Sequence, residues 1–206
     1  MDTSTGLYNR NFWEQIKTDI DLYPTTHNFS LIIIDIDNLK AINDAFGHLT
    51  GDRVIEIVGQ AIKSNIREGR DVGIRYGGDE FIILLSNQSP HVTEKVIERI
   101  RKDIDRRALN ENLNIKFSSG IAYNKSVADL EEMIKKADES LYREKEIKKA
   151  QKQQHSRMYY LIKQIGEVWD ELDEKESKGD NLLTSEDILE LGKRLDKLIE
   201  EYIENL

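Results

Sequence analysis

The chain has 206 residues, of which 38% are apolar, and its formal net charge is −9. This length suits one domain of ordinary size with an appendage, or two small domains. The acidic balance argues against non-specific nucleic-acid binding, and the absence of cysteine excludes disulfides and thiolate chemistry.

Two kinds of targeting segment are not predicted. No apolar run approaches the roughly 20 residues of a membrane span, and the first residues lack the basic and apolar regions of a signal peptide. We therefore expect a cytoplasmic protein that binds neither membranes nor nucleic acid. An anionic substrate would need local lysine or arginine side chains and a metal ion.

The first quarter of the chain alternates predicted helices and strands. Turn formers open the chain, a helix follows over about residues 9–22, and residues 23–28 form a loop. Residues 31–36 are an uninterrupted apolar run, which is typical of a strand buried on both faces. A short helix is predicted at 40–45 and a break at 46–52. Asp52 then opens a helix that extends to about Ile66.

Two adjacent glycines, Gly77 and Gly78, separate the apolar runs 72–74 and 81–85. This pattern predicts a tight hairpin, because Gly-Gly tolerates the positive φ values that such turns need. Asp79 and Glu80 are expected to start the second strand, where neighbours point to opposite faces. The glycines would let the main chain approach a phosphate, and the carboxylates would hold a divalent cation. The alternative is a surface hairpin with a solvated acidic strand start.

The remaining elements complete an α/β pattern. A helix is predicted over about 92–109, a strand over 114–122, and a further helix from about 128. The order of elements predicts an α/β (α+β) sandwich around a mixed sheet, with an antiparallel hairpin at its centre.

The chain changes character after about Glu146. Two apolar stripes with alternating spacings of three and four predict a helical hairpin. Their members are Met158, Leu161, Ile165, Val168 and Leu172, then Ile188, Leu191, Leu195, Leu198 and Tyr202. A polar turn at 177–181 joins the helices, and Thr184 or Ser185 can cap the second. We assign residues 1–149 to the main domain and 150–206 to the hairpin, which packs on itself, on the main domain or on another copy.

Five motifs, in this order, resemble the GGDEF domain of bacterial diguanylate cyclases. Ser4 and Leu39 depart from the residues that the family most often has at these positions. The motifs are Asp2-x-x-Thr5-Gly6-Leu7-x-Asn9-Arg10; Asp35-x-Asp37-x-x-Lys40-x-Ile42-Asn43-Asp44-x-x-Gly47-His48-x-x-Gly51-Asp52; Arg75-Tyr76-Gly77-Gly78-Asp79-Glu80-Phe81; Ser118-x-Gly120-Ile121-Ala122; and Ala137-Asp138-x-x-Leu141-Tyr142-x-x-Lys145.

The resemblance implies a palm-like fold akin to that of nucleotidyl cyclases. It also implies the reaction that the protein catalyses. Two GTP molecules would condense into cyclic di-GMP across a homodimer, with release of two pyrophosphates and with Mg²⁺ or Mn²⁺ as cofactor. Asp35, Asp79 and the backbone carbonyl of Ile36 would ligate the metal. Glu80 would be a second ligand or the group that receives the hydroxyl proton, and two metals would need all three carboxylates.

The resemblance also implies how GTP is bound. The guanine readers would be Asn43 and Asp52, since an amide and an acceptor-only carboxylate pair with the guanine edge. The remaining candidates approach or contact the phosphates: Gly77, Gly78, Lys40, Lys145 and Lys149. Lys40 and Lys145 have the alternative of being solvated surface side chains. His48 is interpreted as structural rather than catalytic.

Two departures from the family pattern affect the expected properties. Lys149 stands where an arginine is usual, and a lysine lacks the bidentate fork, so triphosphate binding is expected to be weaker. Glu68 stands at the arginine position of the family's product-inhibition motif, while Asp71 is kept. We predict no strong product feedback through this site, with Arg67 and Arg70 as the side chains that would compensate.

Other functions stay open at this level. One is a catalytically weak or inactive domain that binds GTP and signals through the C-terminal helices. Another is a cyclase that makes a hybrid dinucleotide from ATP, against which Asp52 as guanine reader argues. A sensor or helical stalk usually precedes the entry motif in this family. Here either such a part is absent or removed, or the C-terminal hairpin supplies self-association.

Overall fold

The computed structural model describes residues 1–18, 29–124, 130–177 and 185–205. It forms two compact units, Met1–Lys145 and Glu146–Leu206. The predicted end of the first helix, the loop at 23–28, most of the polar turn at 177–181 and Thr184 lie outside the described residues.

The first unit contains a five-stranded mixed sheet with the order β1-β3-β4-β2-β5. Its strands are β1 (Tyr8–Asn9), β2 (Phe29–Ile36), β3 (Val72–Arg75), β4 (Glu80–Ser86) and β5 (Phe117–Asn124). Strands β1 and β3 are parallel, and the other pairs are antiparallel. The predicted mixed sheet with its hairpin is confirmed. Sequence reasoning missed β1, because two residues are too short for an alternating pattern.

Six helices are described in the two units: α1 (Arg10–Thr18), α2 (Leu39–Phe46), α3 (His48–Asn65), α4 (Pro90–Leu109), α5 (Leu130–Ser177) and α6 (Ser185–Glu204). The predicted break at 46–52 is wrong, since α3 begins at His48. Gly47 alone, at φ 87°, separates α2 from α3; that backbone conformation favours glycine and redirects the chain in one residue. Helix α5 continues through Glu146, because the lysine- and glutamine-rich segment after it consists of good helix formers.

Alternate residues of the two central strands supply two hydrophobic clusters, one on each face of the sheet. Ile32 and Ile34 of β2 belong to the cluster that includes residues of α3 and α4. Leu31 and Ile33 belong to the cluster that includes residues of α1 and the first part of α5. Strand β2 is therefore buried on both faces, as its apolar run predicts.

Helix α5 lies directly on β5 at Gly120. A Cβ at this position would lie 1.9 Å from the carbonyl oxygen of Ala137 and 2.5 Å from the amide nitrogen of Leu141. Only glycine permits this close approach of two backbones. The approach fixes the first part of α5 on one face of the sheet, and residues further along that part of the helix reach the end of β2.

The second unit is an antiparallel helical hairpin. Arg157 on α5 pairs with Glu201 on α6 at 2.9 Å, and Glu171 pairs with Arg194 at 3.5 Å. Leu161, Val168 and Leu191 are buried between the helices, while Met158, Ile165, Leu195, Leu198 and Tyr202 are partly buried. The predicted stripes are confirmed at these positions; the side chains of Leu172 and Ile188 lie outside the description. Across the described ranges, no helix has the length and apolar character needed to cross a membrane.

Candidate active site

The end of β2 and the start of β4 bring acidic residues together. The antiparallel register places Asp35 directly opposite Glu80, and directly opposed side chains share one face of a sheet. The Ile36 amide donates to the carbonyl oxygen of Asp79 at 3.1 Å. The predicted acidic residues therefore lie on neighbouring chain segments at one edge of the sheet. Strand β4 begins at Glu80, so the expectation that Asp79 also starts the strand is wrong.

Negative charge accumulates around Glu80. Burial raises the pKa of the Glu80 carboxyl, and the charges of Asp35 and Asp79 raise it further. Asp138 on α5 acts in the same direction, while the charge of Lys145 opposes it. Burial also raises the pKa of Asp138. A bound cation would relieve this accumulation of charge.

Lys145 contacts the carboxylate of Asp35. Its Nζ lies 2.8 Å from Asp35 Oδ2, and the Asp35 side chain is 16% exposed. The sequence predicts Lys145 as a phosphate contact, whereas here its ammonium neutralises a predicted metal ligand.

The donor chemistry suits a hard divalent cation, because carboxylate and carbonyl oxygens are the ligands that Mg²⁺ prefers. Within the described part of the chain, no group of three or more acidic or histidine side chains is arranged to hold a metal. The geometry does not supply the full ligand set expected for two metals. The residues fit a magnesium ion held by one or two carboxylates and completed by substrate phosphates, as is usual for this ion.

The glycine pair lies in a four-residue loop between β3 and β4. The amides of Tyr76 and Gly77 both donate to the carbonyl oxygen of Glu80, at 2.9 and 3.3 Å. Neither Gly77 nor Gly78 has a positive φ, so the predicted reason for the glycines is wrong: the longer loop needs no left-handed residue at these positions.

The two glycines instead leave space at the loop. A Cβ at Gly78 would meet no atom of the described residues within 4 Å, and one at Gly77 would lie 3.2 Å from Glu80 Oε2. The first position is open to an approaching ligand, and the second leaves room for the Glu80 carboxylate.

Arg75 fixes this loop through hydrogen bonds to its backbone. Its guanidinium donates to the carbonyl oxygens of Gly77 at 3.2 Å and Gly78 at 3.0 Å. It also pairs with Asp2 at 3.3 Å, and Asp2 accepts hydrogen bonds from the amide and hydroxyl of Thr5. Burial would raise the pKa of Asp2, but the hydrogen bonds from Thr5 and the charge of Arg75 outweigh it, so the pKa is lowered. Sequence reasoning assigned Arg75 no role, although an arginine beside a loop without side chains is a usable signal.

The predicted guanine readers lie beside each other on α2 and α3. A Cβ at Gly51 would lie 1.9 Å from Asn43 Oδ1, so the start of α3 passes directly over this side chain. Asn43 Oδ1 is buried and has no hydrogen-bond partner among the described residues. Asp52, the next residue after Gly51, is exposed. A buried acceptor without a partner is the arrangement expected where a ligand donates.

The other candidate residues are distributed as follows. Ile36 is buried, and Lys40 and His48 are exposed at the first turns of α2 and α3. Lys149 belongs to the second unit, and its contact with phosphate stays a prediction.

Two acidic residues near the site, Asp37 and Asp138, stand in the sequence motifs but were given no role in the site. Ser118 Oγ donates to Asp37 Oδ1 at 2.6 Å, which links the ends of β2 and β5. Asp138 lies near Glu80, and its spacing of seven from Lys145 was a signal, because residues seven apart share a helix face.

The turn that precedes β3 contains the predicted product-inhibition position. The Asp71 side chain is 3% exposed and pairs with Arg67 at 2.7 Å. It also accepts from the Ser86 amide at 3.1 Å. A cleft of about 930 Å³ adjoins this turn, and Glu68 and Arg70 line it. Arg67, one of the two predicted compensating side chains, is therefore engaged by Asp71.

Comparison with known proteins relates the first unit to one family. The profile of the family described as "Diguanylate cyclase, GGDEF domain" matches residues 1–151. Diguanylate cyclase DosC of Escherichia coli is 40% identical over 148 residues, which cover 69% of this chain and 32% of that protein. Diguanylate cyclase A of Treponema denticola is 39% identical over 121 residues, covering 57% and 32%. The chain thus spans about a third of the length of these curated relatives.

A solved structure agrees with the fold. The GGDEF domain of DgcB from Caulobacter crescentus, determined in complex with c-di-GMP, superposes with a TM-score of 0.62 at 30% identity. The match covers 71% of this chain and 87% of that one.

Proposed function

The chain belongs to the GGDEF family of diguanylate cyclases, and we propose that it condenses two GTP molecules into cyclic di-GMP and two pyrophosphates. The observation that carries the proposal is the register that sets Asp35 opposite Glu80, with Asp79 alongside. This acidic edge adjoins a loop whose glycine leaves open space, so a nucleotide phosphate and its counter-ion can approach together.

The chemistry is two displacements at phosphorus. The 3′-hydroxyl oxygen of one GTP bonds to the α-phosphorus of the other, and the bond from that phosphorus to pyrophosphate breaks. Glu80 is the proposed acceptor of the hydroxyl proton, since its raised pKa makes it a stronger base than an ordinary carboxylate. The second displacement repeats these steps with the two nucleotides exchanged and closes the ring.

Asp35, Asp79 and the Ile36 carbonyl are the proposed holders of magnesium. When bound, the ion would neutralise charge on the phosphates and lower the pKa of the attacking hydroxyl. Lys145 lies 2.8 Å from Asp35 and would transfer its contact to a phosphate oxygen. Lys40 is exposed at the start of α2 and is a second candidate phosphate contact.

Guanine selection is assigned to Asn43 and Asp52. The buried Asn43 Oδ1 without a partner would accept a hydrogen bond from the base. The exposed Asp52 carboxylate only accepts hydrogen bonds, which suits the N1–H and exocyclic amine of guanine. Adenine presents an acceptor at N1, so GTP is the proposed substrate and ATP is disfavoured.

Catalysis requires two copies of the chain. Each GGDEF domain holds one GTP, and each 3′-hydroxyl must reach the α-phosphate held by the other domain. The proposed active form is therefore a homodimer with two loaded domains face to face.

The test is incubation of the chain with GTP and Mg²⁺ at several protein concentrations, with products resolved by chromatography. We expect cyclic di-GMP at a rate that rises more steeply than the protein concentration, and none from Asp79→Asn. Excess ATP should leave the rate almost unchanged.

The alternative is a GTP-binding signalling module without turnover. The ion pair between Lys145 and Asp35 favours it, because this contact occupies a predicted metal ligand. GTP binding without product at any protein concentration would contradict the cyclase and support the module.

A further inference from the structure

The helical hairpin has an apolar side that no described part of that unit covers. Six large apolar side chains of the hairpin are at least 36% exposed on this side: Tyr159, Ile162 and Trp169 on α5, and Leu189, Ile199 and Ile203 on α6. Solitary exposed apolar residues are ordinary, but a contiguous group on two neighbouring helices indicates an interaction surface.

Helix geometry places these six residues on one side. Each follows directly after a member of the predicted apolar stripes, as Ile162 follows Leu161 and Ile199 follows Leu198. One residue turns a helix by about 100°. Because α5 and α6 are antiparallel, the same turn along each chain directs both helices to the same side of the hairpin.

The opposite side is closed by polar contacts. Arg157 and Glu201 pair at 2.9 Å, and each precedes a member of the predicted apolar stripes by one residue. Glu171 and Arg194, which pair at 3.5 Å, also precede stripe members. The two sides thus differ in kind: preceding residues form the two interhelical ion pairs, whereas the following residues are apolar or glycine apart from Asp173 and Asp196.

Two helical glycines lie on the same apolar side. Gly166 follows Ile165, and Gly192 follows Leu191. A Cβ at either position would meet no described atom within 4 Å. Glycine lowers helix stability relative to alanine, yet nothing described in this protomer requires it here. Each glycine leaves a notch in the helix surface, a gap where a side chain would otherwise project, and such a gap permits the close approach of another helix. Trp169, within about a turn of Gly192 along the hairpin, is a projecting side chain on the same surface.

We infer that the apolar side of the hairpin binds the same side of a second copy of this chain. A two-fold axis parallel to the helices would lay α5 of one copy over α6 of the other and form a four-helix bundle. At equal levels Trp169 of one copy then faces Gly192 of the other, and Ile162 faces Ile199. The surface is complementary to itself because it contains both the projection and the notch.

Charges at the border of the surface match this arrangement. Lys163 follows Ile162 on α5, where it also pairs with Glu167 at 3.6 Å, and Glu200 follows Ile199 on α6. In this arrangement Lys163 of one copy and Glu200 of the other lie at equal levels along the outer edge of the interface. Asp170 and Lys193 form a second opposed pair with the signs exchanged. Both pairs are attractive across the interface, whereas stacking α5 on α5 in register would oppose like charges. This complementarity identifies a second copy as the occupant of the surface.

The association has a consequence that rests on the proposed function. A reaction between two loaded domains needs them in one complex, and the hairpin would raise their effective concentration. The hairpin interface itself does not depend on catalysis, so mass measurements test it even if the chain makes no cyclic di-GMP.

The test uses the full chain and two adjacent tyrosines. Tyr159 is 70% exposed on the apolar side, and Tyr160 is 59% exposed outside it. By sedimentation equilibrium we expect a dimer for the wild type, a dissociation constant at least about tenfold higher for Tyr159→Glu, and little change for Tyr160→Glu. A monomeric wild type at high micromolar concentration, or equal effects of the two variants, would overturn the inference. In the first case another molecule or another part of the chain is the occupant.

A charge exchange tests the orientation. Asp170→Lys should weaken the dimer, and adding Lys193→Asp should restore it, because opposed signs return at both symmetric contacts. Failure of the double variant to recover would overturn the arrangement of α5 over α6, with circular dichroism verifying that both variants keep their helices.

Discussion

A single side chain, that of Arg75, fixes the backbone conformation of the loop between β3 and β4. Arg75 donates to the carbonyl oxygens of Gly77 and Gly78 while pairing with Asp2 near the start of the chain. A loop without side chains has no contacts of its own to fix it, so its geometry depends on this guanidinium. Asp2, far away in sequence, is thereby a positioning residue for the site.

The pH dependence of stability should reveal the contact between Asp2 and Arg75. The pKa of Asp2 is below its ordinary 3.8 in the folded chain, so the ionised carboxylate stabilises the fold above that pH. This stabilisation is lost as pH falls through the lowered pKa. Asp2→Asn should cost about 0.5–1 kcal/mol at neutral pH and progressively less in acid. Urea unfolding at several pH values measures this. The exposed Asp105→Asn is the control, and a loss independent of pH would contradict the assignment.

Gly51 sets the position of Asn43, since a Cβ there would lie 1.9 Å from Asn43 Oδ1. Gly51→Ala should displace the amide from the guanine site and raise the KM for GTP about tenfold, with a much smaller effect on kcat. Thr50→Ala, one residue earlier on α3, is the matched control. Steady-state kinetics on variants shown to be folded measure both constants. A fall in kcat with an unchanged KM would exclude this positioning role.

Among the helices and strands, close backbone contacts determine where the candidate site residues lie. Gly120 lets α5 lie on β5, and this contact brings Asp138 and Lys145 to the end of β2. Gly47 turns the chain between α2 and α3 in one residue, which sets Asn43 beside Gly51. In both cases a glycine positions a neighbouring element that supplies the polar side chains.

The turn before β3 should not mediate strong product inhibition. Asp71 is buried and paired with Arg67, and Glu68 places a carboxylate in the adjoining cleft. Cyclic di-GMP added to a rate assay should leave turnover undiminished. Glu68→Arg should make the rate sensitive to added product, because a guanidinium attracts the phosphodiester. Potent inhibition of the wild type would contradict this prediction.

Gly192 should have opposite effects on folding and on association. Gly192→Ala should raise the free energy of unfolding by about 0.5–1 kcal/mol, because the position is helical and its Cβ meets no described atom. The same Cβ would fill the notch and weaken the dimer. Denaturant unfolding and sedimentation measure the two effects. A more stable chain with an unchanged dissociation constant would remove Gly192 from the interface.

At the scale of the whole molecule, the two units divide the proposed tasks. The first unit contains the acidic edge, the glycine loop and the predicted guanine readers, and the second is the hairpin with the apolar side. In the proposed function, one GTP binds to the first unit alone, whereas turnover needs two copies.

Removal of residues after Lys149 should separate these tasks. The shortened chain should retain GTP binding, because the predicted ligand residues precede the cut. It should be monomeric, and its cyclic di-GMP production should require higher protein concentrations than the full chain needs. Calorimetry with GTP and sedimentation give the two readouts. An unchanged mass in solution would show that the hairpin does not drive dimerisation.

Residue order and periodicity are enough to predict the family, the mixed sheet, the helical hairpin and the candidate residues. Strand patterns and helix stripes depend on local periodicity, and the motifs depend on residue order. Both properties can be read directly from the amino-acid sequence. The motifs predict that Asp35 and Asp79 share a metal ion, but the register of β2 and β4 is what sets Glu80 directly opposite Asp35.

Contacts between segments distant in sequence are visible only in the folded chain. The pairing of Asp2 with Arg75, the contact of Lys145 with Asp35 and the passage of α3 over Asn43 depend on how elements pack. Gly77 and Gly78 do not adopt the positive φ that their pattern suggests, because the hydrogen bonds to Glu80 close a longer loop. Local sequence sets the preferences of each residue, but long-range packing chooses among the conformations that those preferences allow.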